Sequence, residues 1–86
     1  MKICVVGMGY VGLSLSMLLA KKYDVFGVDN SEVKISTLEE GQSPLEDNDI
    51  ITSLQDKNLK FTPTLDIETA VKASDYVVIC TPTDYD

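Results

Sequence analysis

Arginine is absent from this chain of 86 residues, and seven lysines stand against fourteen aspartates and glutamates. The resulting net charge of −7 disfavours nucleic acid or an anionic membrane surface as a partner. It also means that an anionic ligand must be held largely by main-chain N–H groups rather than by cationic side chains. Cysteine is scarce: Cys4 and Cys80 lack any metal-binding spacing, and each falls in an apolar, strand-like run where a thiol packs as a small hydrophobe. If their strands are neighbours the sulfurs come close, but in the cytoplasm, the expected location, they stay reduced. Also missing are internal repeats, low-complexity stretches and linkers, so the chain makes one small domain at most. No clean membrane-length run exists either. Residues 3 to 20 are almost wholly apolar, but three glycines interrupt them and Lys21-Lys22 stands where a small-residue cleavage site belongs. A signal peptide or membrane anchor is therefore the weaker reading, since a span needs about 20 apolar residues.

What is present is concentrated at the start. The apolar run Ile3-Cys4-Val5-Val6 feeds Gly7-Met8-Gly9-Tyr10-Val11-Gly12, a G-x-G-x-x-G turn, and a helix-compatible apolar run follows. Further on, Val25-Phe26-Gly27-Val28 reads as a second strand ending in Asp29. Strand, glycine turn, helix, strand and terminal acid together make the context that a dinucleotide fingerprint requires. Gly7 permits the sharp turn, Gly9 leaves room for a pyrophosphate, and Gly12 lets helix and strand pack closely. The helix starting near Tyr10 aims unpaired N–H groups and its positive dipole end at the phosphates. Asp29 is placed to accept hydrogen bonds from the two hydroxyls of the adenine ribose. It would repel a 2′-phosphate, and no arginine exists to receive one, so NAD is favoured over NADP. The competing interpretation is that these glycines are only turn residues of a βαβ unit that binds nothing.

Along the rest of the chain strands and helices alternate. A strand over about residues 2 to 6 precedes a helix over about 10 to 22 that is apolar on nearly every face. After the strand at 24 to 28, Ser31 caps a helix with Val33, Ile35 and Leu38 as its apolar positions, and Gly41 ends it. Gln42-Ser43-Pro44 is a turn, and a short acidic-capped helix runs from about Asp47 to Gln55. Leu59-Lys60-Phe61-Thr62 alternates and is expected as a short third strand, with Pro63 placing it at an edge. Asp66 caps a helix to about Ala73 that buries Ile67, Ala70 and Val71. Tyr76-Val77-Val78-Ile79-Cys80 has the composition of a fully buried parallel strand. Right-handed crossovers then predict an α/β, Rossmann-like parallel sheet in the order 3-2-1-4 with helices on both faces. In that order strands one and four open a crevice at their carboxyl ends, and Thr81-Pro82-Thr83 leaves strand four there. Thr83 is accordingly expected to face the cofactor, against the plainer interpretation of a strand-ending turn.

These segments resemble the UDP-glucose/GDP-mannose dehydrogenase family over the whole chain. The likeness rests on the Gly7-x-Gly9-Tyr10-Val11-Gly12-Leu13-Ser14-Leu15 start, Gly41-x-Ser43-Pro44, and Ala73-x-Asp75-Tyr76-Val77-Val78-Ile79-x-Thr81-Pro82-Thr83. The resemblance implies NAD contacts at Val11, Asp29, Lys34 and Thr83, although Lys34 is equally compatible with a solvated surface lysine. It implies a parent enzyme that oxidises a sugar nucleotide such as UDP-glucose twice with two NAD, using a cysteine nucleophile that neither Cys4 nor Cys80 matches. Residues 1–86 are thus expected to be the cofactor-binding part of a longer dehydrogenase, with no catalytic residue and no metal. GDP-mannose and N-acetylated UDP-sugars remain open as substrates, as does a stand-alone NAD-sensing module. Strand four, left as a sheet edge, and the apolar first helix lead us to expect self-association.

Overall fold

The computed structural model describes residues 1–80; Thr83 and the rest of the 81–86 segment lie outside the described residues. In chain order the elements are β1 (Lys2–Val6), α1 (Tyr10–Leu19), β2 (Asp24–Val28), α2 (Glu32–Glu39), α3 (Asn48–Leu54), β3 (Phe61–Thr64), α4 (Ile67–Ala73) and β4 (Tyr76–Ile79). The strands form one parallel sheet in the order β3-β2-β1-β4, as expected. Ile3 of β1 pairs with Val25 of β2 and Tyr76 of β4.

Alternation along β1 sorts the core into two faces. Ile3 and Val5 point toward α1, α2 and α3, where they pack with Leu13, Met17, Val25, Ile35, Leu38 and Ile50. Cys4 points to the other face, beneath α4, and joins Val28 and Ala70. The second core is much thinner, because α4 buries only Ala70. Ile67 and Val71, expected to be buried, are exposed, as are Val77 and Ile79 of β4. A strand with the composition of a buried one is thus an open edge among the described residues: it pairs with β1 alone, and α4 packs on β1 and β2 rather than over it.

The two cysteines do not meet, although β1 and β4 are neighbours. Cys4 pairs with Val77, whereas Cys80 follows the strand's end and packs on the opposite face. Both are free thiols. Burial pushes the Cys4 thiol up from its ordinary pKa, which keeps it protonated and inert.

Local sequence explains the helix limits. Ser31, Asp47 and Asp66 each accept a hydrogen bond from the main-chain N–H three residues on, capping α2, α3 and α4. Gly41, at φ +79°, ends the α2 segment in a left-handed turn. The Thr69 hydroxyl and N–H hold the Asp66 carboxyl below its ordinary pKa. That cap contributes stability above the usual carboxylate range, and the contribution is lost as pH falls through the lowered value.

Two boundaries differ from expectation. Helix α1 stops at Leu19 with Ala20 as its cap, so Lys21 and Lys22 lie in the turn to β2. Strand β3 starts at Phe61 and contains Pro63, paired opposite Gly27. The Lys60 carbonyl accepts from Val25 N–H, so alternation turns the N positions of Phe61 and Pro63 away from β2. An edge strand tolerates proline at such a position because no ladder bond is lost. No helix among the described residues is long and apolar enough to cross a membrane.

Leu13 is fully buried, whereas Val33, expected as an apolar helix position, is 77% exposed. Leu13→Ala is expected to lower unfolding free energy by about 2–5 kcal/mol. Val33→Ala is expected to change it by less than about 0.5 kcal/mol. Urea denaturation followed by circular dichroism measures both.

Candidate functional site

The glycine turn sits where β1 ends between β2 and β4. Gly7 N–H donates to the Val28 carbonyl at 2.7 Å, and Cys80 N–H donates to the Val6 carbonyl at 2.8 Å. Gly7 has φ +102°, and a Cβ there would overlap the Cys80 carbonyl, so both conformation and space demand glycine. A Cβ on Gly12 would overlap the Gly7 carbonyl oxygen. Gly9 differs. Its backbone is ordinary, it is the N-cap residue of α1, and a Cβ there would meet nothing within 4 Å. The open space above Gly9 is the room that a ligand group needs.

Helix α1 presents that space with unpaired donors. Its first internal bond runs from Leu13 N–H to the Gly9 carbonyl at 2.9 Å, leaving the N–H groups of Tyr10, Val11 and Gly12 without intrahelical acceptors. No acidic side chain occupies the first turn and no side chain caps it. The end of the helix dipole therefore faces the space uncompensated, an arrangement suited to a phosphate.

Asp29 follows β2 on the other side of the turn. Its Oδ2 accepts from Met8 N–H at 2.8 Å and its Oδ1 from Ser31 N–H at 2.9 Å. Lys34 Nζ lies 3.9 Å from Oδ2, with the carboxylate mostly buried and the lysine partly exposed. A carboxylate has about four acceptor positions, so two remain for ligand hydroxyls after both N–H groups are served. Asp29 thus ties the glycine turn to the start of α2 while keeping capacity toward the cleft.

These parts line a cleft of about 890 Å³ at the carboxyl ends of the strands. Of the residues singled out in the sequence, Gly7, Gly9, Tyr10, Val11, Gly12, Asp29 and Lys34 line it. Met8 does not: its side chain is fully buried beneath the turn and its N–H is taken by Asp29. Thr83 lies outside the described residues. The cleft also includes Asn30, Leu45, Leu65 and Ile67, which were not singled out. Leu45 is positioned by the Ser43 hydroxyl, which donates to its carbonyl and accepts from its N–H. Leu65 and Ile67 begin the segment after β3, and about half of each remains exposed, so they add apolar wall to a polar floor. The signal for them was available: in an open parallel sheet every loop at the carboxyl ends of the strands borders the crevice.

A model of the UDP-glucose/GDP-mannose dehydrogenase family, NAD binding domain, matches residues 1–86. The chain belongs to this family. Its fingerprint turn, free α1 donors and Asp29 fit the family's cofactor, NAD. Among curated relatives, UDP-glucose 6-dehydrogenase of Streptococcus pneumoniae is 40% identical over 86 residues, covering all of this chain and 22% of that protein. UDP-N-acetyl-D-mannosamine dehydrogenase of Methanococcus vannielii is 36% identical over 83 residues, covering 95% of this chain and 19% of the relative. The crystal structure of a ternary complex of GDP-mannose dehydrogenase from Pseudomonas aeruginosa superposes with a TM-score of 0.89 at 32% identity. It is matched over all of this chain and 20% of its own length. The chain therefore spans about a fifth of the family members it matches.

The three turn glycines should respond differently to substitution. Gly9→Val is expected to keep the circular-dichroism spectrum and abolish NAD binding, because its side chain would project only into the ligand space. Gly12→Ala is expected to destabilise the fold itself, by about 3 kcal/mol or more, because the overlap is with main chain that has nowhere to move. Calorimetric NAD titration beside chemical denaturation separates the two outcomes.

Proposed function

We propose that this chain is the NAD-binding part of a UDP-glucose 6-dehydrogenase, an enzyme that oxidises UDP-glucose to UDP-glucuronate with two NAD. The observation that carries the cofactor half is Asp29, aimed into a cleft whose phosphate end is built from main-chain donors. A bound NAD would supply the hydride acceptor. Tyr10 and Val11 N–H groups would hold its pyrophosphate, and Asp29 the adenosine ribose. UDP-glucose is favoured as substrate by the 40% and 39% identities to the UDP-glucose 6-dehydrogenases of Streptococcus pneumoniae and Campylobacter jejuni. Relatives named for UDP-N-acetyl-D-mannosamine and GDP-mannose, at 36% identity each, define the alternatives. The residues that act on the sugar would belong to a part of the enzyme other than residues 1–86.

The full-length enzyme tests the substrate. Reduction of NAD, followed by absorbance, is expected with UDP-glucose at two equivalents per sugar. Turnover of GDP-mannose or UDP-N-acetylmannosamine in preference would replace the proposal.

Asp29→Ala tests the cofactor site. Loss of a hydrogen-bonded charged group is expected to weaken NAD binding by about 1.5–3 kcal/mol. The wild-type chain is expected to prefer NAD to NADP, and equal affinity for the two would remove Asp29 from its assigned role.

We also propose that the chain self-associates through the β4 edge, which no described strand covers, and the exposed Leu18 on α1. Sedimentation velocity is expected to show the mean mass rising with concentration. A monomer at every concentration would refute it.

A further inference from the structure

We propose that Met8 and Gly27 are a size-matched pair that sets the height of the glycine turn, so that Gly27, which does not border the cleft, controls pyrophosphate affinity. The inference rests on the NAD reading above and deepens it. Gly27 lies mid-strand in β2, between Val5 of β1 and Pro63 of β3. Glycine weakens a strand interior, and here no backbone need explains it: among the described residues only Gly7 and Gly41 have positive φ. The reason is space. A Cβ at Gly27 would stand 2.8 Å from Met8 Sδ and 2.5 Å from the Phe61 ring. Met8 fills the room that Gly27 leaves, and it is fully buried in doing so.

The placement of Met8 converts packing into geometry. It lies between Gly7 and Gly9, so its Cα is part of the turn that carries the donors. Its N–H is held from the side by Asp29 at 2.8 Å. Its side chain is held from below by Gly27 and the core. A methyl group at position 27 must push Met8 or Phe61. Phe61 sits on an edge strand and is only partly buried, but its contact shares the same Cβ, so moving the ring alone does not clear Met8. Met8 is fully buried in the core, so whatever part of the displacement its side chain does not absorb passes to its Cα in the turn and misplaces the N–H groups on which the pyrophosphate depends. Met8 is thus a positioning residue rather than a ligand contact.

The test measures NAD, ADP and adenosine affinities by calorimetry or ligand-observed NMR in the full-length protein, for wild type, Gly27→Ala, Met8→Ala and the double variant. Gly27→Ala is expected to weaken NAD and ADP by tenfold or more while changing adenosine by less than about twofold. The double variant is expected to recover most of that loss, because the shortened side chain restores the clearance. A folded Gly27→Ala protein that binds ADP as wild type does, or a double variant no tighter than Gly27→Ala, would overturn the pairing. Should Gly27→Ala not fold, Met8→Ala and Met8→Leu decide. The leucine variant, which keeps the volume, is expected to bind ADP near the wild-type affinity and the alanine variant severalfold more weakly. Equal ADP affinities across these would also overturn it. A wild-type protein that binds no NAD would refute the cofactor reading instead. The pairing then stands or falls on denaturation midpoints, where the double variant must be more stable than additive single effects allow.

Discussion

Helix α1 can begin directly over the end of β1 because Gly12 brings no side chain to its contact with the Gly7 carbonyl. Everything that makes the cleft depends on that approach. It fixes where the first turn of α1 points, and so where the unpaired N–H groups of Tyr10, Val11 and Gly12 lie. It also lets Leu13, Ser16 and Met17 pack as one buried stripe of the helix. A single missing Cβ therefore links the main hydrophobic core to the anion-binding end of the same helix.

The charge balance gives this arrangement its purpose. With no arginine and a net charge of −7, the chain has little cationic means of holding a diphosphate. Main-chain donors need no countercharge and are already ordered by the fold, so they meet the ligand without side-chain entropy loss. Asp29 is the other half of the device. It spends two acceptor positions on Met8 and Ser31 N–H groups and keeps the rest for the cleft, so under the proposed cofactor reading one side chain would serve both recognition and loop order. Lys34, at 3.9 Å, moderates its charge without a tight pairing.

Strand order, helix caps and most of the cleft were legible in the sequence, because each rests on a local rule with a strong signal. Ser31, Asp47 and Asp66 stand one residue before their helices, and Gly7, Gly9 and Gly12 keep the fingerprint spacing. What was not legible depends on contacts between segments. Val33, Ile67 and Val71 have the hydrophobicity of core residues, but nothing local says that the described elements leave them uncovered. Pro63 marked β3 as an edge strand, which it is, but the strand's bounds were less legible: it runs two residues later than expected and includes Pro63, because the edge demands no N–H there. Met8 shared the fingerprint with residues that line the cleft, but its full burial beside Gly27 shows that its side chain turns inward. Leu45, Leu65 and Ile67 come from three positions along the chain that meet only in the folded sheet.

The central claim is that a pre-shaped turn and the free end of α1 hold the diphosphate of NAD, with Asp29 on the adenosine ribose. A crystal structure of the full-length protein with NAD tests it most directly. The account predicts phosphate oxygens within hydrogen-bond distance of Tyr10 and Val11 N–H, ribose hydroxyls on the Asp29 carboxylate, and an unbroken Met8 N–H to Asp29 bond. A dinucleotide seated away from this turn, or a turn rebuilt with Met8 drawn out of the core, would contradict it.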